Sequence, residues 1–406
     1  SDLMGILYQA ITQFLGFKKY GDEYKIMALA AYGKPRFKKE FENLVKFVLP
    51  YNFELNMKYF VHNRKFDFKE SLSDEPIFEN LFSKELEKLL GKSRDINEDI
   101  KQVHFDIAAS LQRRFEEIIL KIIENLHLEG KSDNLCLSGG CIFNSVLNGK
   151  IIEQNKFKNI HIHSNVGDAG GAVGSALYLT STKFKNKKFQ QFDNNFLGPK
   201  YSTEEIGNFI DKNKKILSAY NIEKFNHFDD VIKRTVEVLA NGKIVGWFQD
   251  EAEWGPRALG NRSILMNAEI KEAKEMLNSK IKLREQFRPF AVSILEEEVK
   301  DYFHTNESYY PNMNFVFKAK EKTVEKFPSI VHEDGSSRIQ SVSEKSNQKF
   351  YWLIKEFRKK TNNPLLLNTS LNISEPICES PEHVFKSFYG TNIDCLVLQD
   401  YVLIKN

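Results

Sequence analysis

Asn134-Leu135-Cys136-Leu137-Ser138-Gly139-Gly140 is a short apolar run that stops on a serine and two glycines. Ahead of it, Ile107, Ala108, Leu111, Phe115, Ile118, Ile119, Ile122, Ile123 and Leu126 recur at helical spacing and predict a long helix with a wide apolar stripe. Behind it, 141–153 reads as a helix, and Asn159-Ile160-His161-Ile162-His163 alternates as a strand does. Gly167-Asp168-Ala169-Gly170-Gly171 makes a second glycine loop, and small residues continue as a helix through Ala176. Helix, strand, glycine loop, helix, strand, glycine loop, helix is an α/β layout.

Outward from this core the pattern is looser. Ile6, Leu7, Ala10, Ile11, Phe14 and Leu15 predict an N-terminal helix that Gly16 can end, and Tyr32-Gly33-Lys34-Pro35 breaks the next one. Residues 36–100 are polar, aromatic and irregular, as a decorated insertion is. Residues 183–200, rich in Lys, Asn and Gln, read as a linker. A second unit starts near Tyr201, with helices expected around 229–240, 270–280 and 347–360. Strands are expected at 243–248, at 364–367 and as one closing run over 395–404. No internal repeat or heptad pattern is present.

The 406 residues suggest two or three domains at roughly 150 residues each. Lys and Arg number 58 against 55 acidic residues, a balance too even for a dedicated binder of nucleic acid or of a membrane surface. No run of about 18 apolar residues suggests a membrane span. The first residues, Ser1-Asp2-Leu3-Met4, do not read as a signal peptide. The four cysteines, Cys136, Cys141, Cys378 and Cys395, include no Cys-x-x-Cys pair, so a zinc site or disulfide framework is not expected and a cytoplasmic setting is.

Arginine is scarce. There are 12 arginines against 46 lysines, so a cluster of arginines marks places where a planar, bidentate cation is needed against carboxylate or phosphate. Arg257 and Arg262 fall in Glu253-Trp254-Gly255-Pro256-Arg257-Ala258-Leu259-Gly260-Asn261-Arg262-Ser263. Lys282, Arg284 and Arg288 fall within seven residues, and Arg338 follows His332-Glu333-Asp334-Gly335-Ser336-Ser337. We read all three as anion-binding loops, because glycine lets backbone N–H groups approach an anion and arginine supplies the charge. Asn368-Thr369-Ser370-Leu371-Asn372 follows a buried strand, where α/β sheets place ligands. In the first unit, the loops at Gly139-Gly140 and Gly170-Gly171 each lead from a strand into a helix and suit a phosphate or a nucleotide. Asp168 fits either a metal ion or a helix cap, while His161 and His163 lack further ligands nearby and read as strand residues.

Taken together, the stretches 21–35, 137–144, 164–176, 253–265, 281–293, 332–342 and 368–381 resemble the O-carbamoyltransferase family of NodU and the tobramycin and cephamycin carbamoyltransferases, in family order over nearly the whole chain. The resemblance implies a partial actin-like ATPase-superfamily domain of the threonylcarbamoyl-transfer type over 1–182, carrying the insertion at 36–100. A linker over 183–200 and a YrdC-like α/β domain over 201–406 would follow. It also implies a two-step reaction. Carbamoyl phosphate and ATP give carbamoyl adenylate and pyrophosphate in the YrdC-like domain, and a hydroxyl of a sugar or other small molecule then takes the carbamoyl group in the actin-like one. On that basis Arg257, Arg262, Lys282, Arg284, Arg288 and Arg338 neutralise the converging anions, and His332, Asn368 and Ser370 orient the carbamoyl and phosphate groups. Gly139, Gly140, Asn144, Gly170 and Gly171 hold the nucleotide, and Asp168 is a metal ligand. Mg2+ would accompany ATP, with Fe2+ or another divalent metal in the actin-like domain, and the resemblance leaves room for a homodimer.

Three departures accompany the resemblance. The family carries an N-terminal lobe, with an early catalytic histidine and a His-x-x-x-His metal pair, ahead of the 21–35 stretch. No His-x-x-x-His occurs here, and the chain reads as starting after that lobe. Leu371 stands where the family has an aromatic residue, followed by Ser374-Glu375-Pro376 in a shorter loop, and Ala31 replaces a proline. Two other readings are a threonylcarbamoyl-adenylate synthase relative acting in tRNA modification and a nucleotide-binding fragment without turnover.

Overall fold

Helical spacing of Leu7, Ala10, Ile11 and Phe14 produces the first helix, Met4–Phe14, which buries those side chains. The computed structural model describes residues 4–19, 21–62, 80–183 and 195–405. The chain divides into two compact units, residues 1–162 and 163–406. Most of the expected linker, residues 184–194, lies outside the described residues.

In the first unit the helix Glu23–Ala30 packs on the long helix Gln102–Leu128. The turn after it is possible only with glycine: a Cβ on Gly33 would stand 2.0 Å from the Phe105 carbonyl oxygen. Residues 36–100 are not simply irregular. They contain the helix Lys38–Leu44, an antiparallel hairpin of β1 (Val45–Val48) and β2 (Asn52–Leu55), and the helix Lys84–Leu90. These elements bury only a few apolar side chains each, such as Phe41, Leu44, Leu86 and Leu90, too few to show periodicity in a polar background. The rest of the expected insertion, 63–79, lies outside the described residues. β3 (Asn134–Leu137) and β4 (Asn159–Ile162) pair in parallel, joined through the helix Ser145–Glu153. His163 follows β4 rather than ending it.

The second unit is built on a nine-stranded mixed sheet. Its strands are β5 (Tyr220–Lys224), β6 (Val245–Phe248), β7 (Arg262–Asn267), β8 (Ala291–Leu295), β9 (Phe315–Lys318), β10 (Ser336–Val342), β11 (Leu365–Ser370), β12 (Cys395–Leu398) and β13 (Tyr401–Lys405). They run in the order β5-β13-β12-β6-β7-β11-β8-β10-β9. β12 with β6 and β10 with β8 are parallel, and the other neighbours are antiparallel. Helices Phe228–Ala240 and Gln348–Thr361 close over one face, where Val231, Leu239, Phe350 and Phe357 meet Trp247, Leu265, Leu295, Val342 and Leu366. The protein is therefore mixed α/β. No described helix is long and apolar enough to cross a membrane.

Two expectations are corrected here. The closing run over 395–404 is a hairpin, not one strand: Leu398 pairs with Tyr401 around Gln399-Asp400, and Gln399 takes φ 51°. Arg262 and Arg338 sit on β7 and β10 rather than in loops.

The ladder also shows where a site can form. Arg338 and Asn368 are both register partners of Ala291, so the three side chains stand in one row on one face. Two residues along, Gln340, Ser293 and Leu366 share that face, and two further on Val342 and Leu295 enter the helix-covered core. The face is apolar beneath the helices and polar where their cover ends.

Candidate anion-binding site

The loop that covers the polar end of this face is organised by Glu253. Its Oε1 accepts the backbone N–H groups of Leu259, Asn261 and Arg262 at 2.8, 2.8 and 3.0 Å. Gly260 (φ 104°) presses on the helix above, where a Cβ would fall 2.2 Å from Phe350 Cδ1, and its carbonyl accepts from Trp247 Nε1 at 2.9 Å. One carboxylate oxygen thus ties three successive turns of the loop that carries Arg257. Glu253→Gln weakens three charge-assisted bonds and is expected to cost about 1–2 kcal/mol in a urea titration. An unchanged midpoint would mean that other contacts hold the loop.

Beneath the loop lies a polar net. Gln340 Nε2 donates to the Leu259 carbonyl at 2.7 Å, and Gln340 Oε1 accepts from Ser293 Oγ at 2.6 Å and from Asn368 Nδ2 at 3.2 Å. Asn368 Nδ2 also reaches Ser293 Oγ at 2.9 Å. Those bonds orient the carboxamide and leave Asn368 Oδ1 buried without a hydrogen-bond partner.

Around this net the structure gathers cations. Burial and the nearby Arg257 and Arg288 guanidiniums push the Arg338 pKa well below its ordinary value. Burial alone lowers Arg257 to about 10, so it stays charged at neutral pH. Lys282 is buried and is shifted well down by burial and by Arg284 and Arg288. Against that, its Nζ is surrounded by Ser370 O (2.6 Å), Ser370 Oγ (3.2 Å), Asn372 O (2.9 Å) and Asn372 Oδ1 (2.5 Å), four acceptors that hold its protons in place. Lys282 therefore pins the 370–372 loop and lends its charge to the site through that loop. Arg284 donates to Asn278 Oδ1 at 2.7 Å and stacks on Phe290, 4.7 Å from the ring centroid. Glu285 approaches Arg288 at 3.6 Å. Holding this many like charges together opposes folding unless an anion joins them, which is the physical mark of a binding site.

Of the residues the sequence pointed to, Arg257, Lys282, Arg284, Arg288, His332, Arg338, Asn368 and Ser370 converge on one end of the sheet. Arg262 does not. It is fully buried, and its guanidinium donates to the carbonyls of Gln249 (2.6 Å), Asn261 (3.0 Å), Pro199 (3.0 Å), Asp250 (3.1 Å) and Glu379 (3.4 Å) while stacking 3.6 Å above the Phe248 ring. It is a tie of the fold.

The expected nucleotide residues divide between the units: Gly139, Gly140 and Asn144 fall in the first, Gly170 and Gly171 in the second. Gly139 and Gly140 are exposed at the end of β3. Asn144 caps the helix Ser145–Glu153 by accepting from Leu147 N at 3.0 Å, and its carboxamide is paired both ways with Gln112 at 2.9 and 3.0 Å. Gln112 in turn accepts from Tyr8 at 2.8 Å. Gly170 and Gly171 open the helix Gly170–Lys183 in the second unit, and a Cβ on Gly170 would meet the Asn165 carbonyl oxygen at 2.2 Å. Asp168 is exposed, and its carbonyl accepts from Gly171 N at 3.0 Å. Among the described residues no group of three His, Cys, Asp or Glu side chains is placed to hold a metal ion, so the donor set does not fit a resident metal at Asp168.

Sequence reasoning singled out neither Gln340, Ser293 and Glu253 nor the pair Asp334 and Ser336. No alternation marked the β10 residues, since Ser337 and Ser341 make its opposite face polar as well.

Two family models match the chain. The family model described as Carbamoyltransferase N-terminus matches residues 1–177, and that described as Carbamoyltransferase C-terminus matches residues 236–405. Nodulation protein NolNO of Sinorhizobium fredii is 31% identical over 411 residues, covering 100% of this chain and 56% of its own length. Nodulation protein NolO of Bradyrhizobium diazoefficiens is 31% identical over 407 residues, covering 99% of this chain and 69% of its own. Among solved structures, full-length HypF in its phosphate- and nucleotide-bound form is 23% identical with a TM-score of 0.30, over 46% of this chain and 22% of that one. The chain spans 56 and 69% of the lengths of the two nodulation proteins. With both family models matched in order and the arginine loops inside the second, the chain belongs to the carbamoyltransferase family.

Proposed function

We propose that this chain is an ATP-dependent O-carbamoyltransferase whose sheet-end cation cluster binds carbamoyl phosphate beside ATP. The convergence of Arg257, Arg288 and Arg338 carries this reading, because carbamoyl phosphate and ATP are polyanions whose approach needs fixed positive charge. The balanced first step consumes one water. The bond between the carbamoyl carbon and the bridging oxygen breaks and inorganic phosphate leaves. The carbamate oxygen then bonds to the ATP α-phosphorus, and pyrophosphate departs. Preorganised guanidiniums stabilise the charge that builds up in both substitutions. Asn368 Oδ1, buried and without a partner, suits the carbamoyl N–H, and Ser370 lies within reach of the same loop.

On this reading residues 201–406 form a YrdC-like adenylating domain, and residues 1–182 belong to an actin-like module where a hydroxyl of a sugar or other small molecule accepts the carbamoyl group. Gly139, Gly140, Gly170 and Gly171 are proposed to approach the nucleotide part of the adenylate. Mg2+ would arrive with ATP and screen its phosphate charge. All four cysteines are free, which supports a reducing compartment such as the cytoplasm.

The test is exchange of labelled pyrophosphate into ATP by the purified chain. Exchange that depends on added carbamoyl phosphate is expected. Binding of ATP with no exchange under any carbamoyl phosphate concentration would leave a nucleotide-binding protein without adenylating activity.

A further inference from the structure

The arginines and the lysine of the cluster offer protons to a ligand. His332 is different. It precedes β10, and its backbone N–H donates to the Ser336 carbonyl at 2.7 Å to close the turn through Gly335. Its Nδ1 lies 3.2 Å from Ser336 Oγ, and that hydroxyl lies 2.5 Å from Asp334 Oδ1. A hydroxyl has one hydrogen, and the carboxylate, which can only accept, takes it. Ser336 Oγ then turns a lone pair toward the imidazole, so Nδ1 carries the ring hydrogen and Nε2 keeps a lone pair. Nε2 is buried and has no hydrogen-bond partner. Ser336 and Arg338 are two apart on β10, so the ring held on Ser336 stands on the face that bears Arg338.

The ring is held neutral. Burial pushes His332 down to about 4, with Asp334 opposing and Arg338, Lys274 and Lys318 adding to the depression. The same contacts act on Asp334. Burial works to raise it, yet the Ser336 hydroxyl, Lys318 and His332 hold it below its ordinary value, so the carboxylate needed for the relay persists at neutral pH.

We propose that His332 Nε2 recognises the amino group of carbamoyl phosphate, with Asp334 and Ser336 as positioning residues that fix the accepting tautomer. The inference rests on the carbamoyl-phosphate reading of the cluster. Guanidiniums cannot tell carbamoyl phosphate from acetyl phosphate or inorganic phosphate, since all present the same oxygens. The amino group is what distinguishes the carbamoyl ligand, and it is a donor. A buried acceptor with nothing to accept from penalises a ligand that brings a methyl group instead.

Calorimetric titration of the full chain with carbamoyl phosphate, acetyl phosphate and inorganic phosphate tests this, together with 15N shifts of the His332 imidazole. Wild type is expected to favour carbamoyl over acetyl phosphate by about 10²-fold and to show the Nδ1–H tautomer. His332→Phe should reduce that preference by about tenfold or more, with Asn368 Oδ1 still accepting from the second carbamoyl hydrogen. Ser336→Ala should mix the tautomers and reduce the preference about tenfold. Equal wild-type affinity for carbamoyl and acetyl phosphate, an Nε2–H ring, or a preference unchanged by His332→Phe each overturns the inference while leaving the anion site standing. Failure of all three phosphates to bind overturns the site itself, and this inference with it.

Discussion

Arg338→Ala reduces carbamoyl-phosphate-dependent exchange by about 10²–10³-fold, the loss typical of removing one preorganised donor from a developing charge. The same change leaves the urea midpoint where it was or raises it slightly. Arg338 is lowered first by burial and then by two other guanidiniums, Arg257 and Arg288, so in the unliganded protein its charge is both desolvated and repelled by its neighbours. Its Nε is buried without a hydrogen-bond partner, so truncation breaks no bond there. A residue that opposes folding and favours anion binding should trade one for the other when removed. Arg257→Ala should reduce exchange as well. The measurement is paired: pyrophosphate exchange and urea unfolding on one preparation. Full exchange in the variant would take Arg338 out of the site, and a collapse of stability would make it a structural residue.

Much of this was readable before any coordinates. β3, the helix Gln102–Leu128 and the two glycine loops emerged because their apolar residues recur at a single period and stop at glycine. β7, β8 and β10 did not. They are buried on both faces nearly throughout, so no alternation marks them, and serines, Arg262, Gln340 and Arg338 interrupt the apolar run that would otherwise betray a central strand. The hairpin at Gln399-Asp400 was hidden because it lacks the asparagine or glycine that usually supplies a left-handed residue. Arginine scarcity pointed to the cluster and took in Arg262 with it. Arg257 and Arg262 look alike in sequence, and only the structure shows the Arg262 guanidinium turned onto five backbone carbonyls. The histidine relay was invisible for a related reason: Asp334, Ser336 and His332 read as a polar turn until the hydroxyl is seen to sit between the other two.

Arg262→Leu should unfold most of the protein at moderate urea. The substitution keeps much of the volume but leaves five carbonyl oxygens without their donor: Gln249, Asn261, Pro199, Asp250 and Glu379. Hydrogen bonds to a charged group contribute about 1.5–3 kcal/mol each, and even with strong non-additivity a loss above about 4 kcal/mol follows. That is a large share of the roughly 5–15 kcal/mol that holds a domain together. Arg262→Lys recovers little, because an ammonium has three hydrogens and no planar fork to span carbonyls on both sides of β7 or to stack on Phe248. Both variants are read by urea midpoint, with exchange measured on whatever remains folded. On the structure's account the folded fraction keeps its exchange, the reverse of Arg338→Ala. If Arg262→Leu proved as stable as wild type and inactive, the guanidinium would have to leave its carbonyls and join the anion site, and the division drawn here between the tie and the cluster would be wrong.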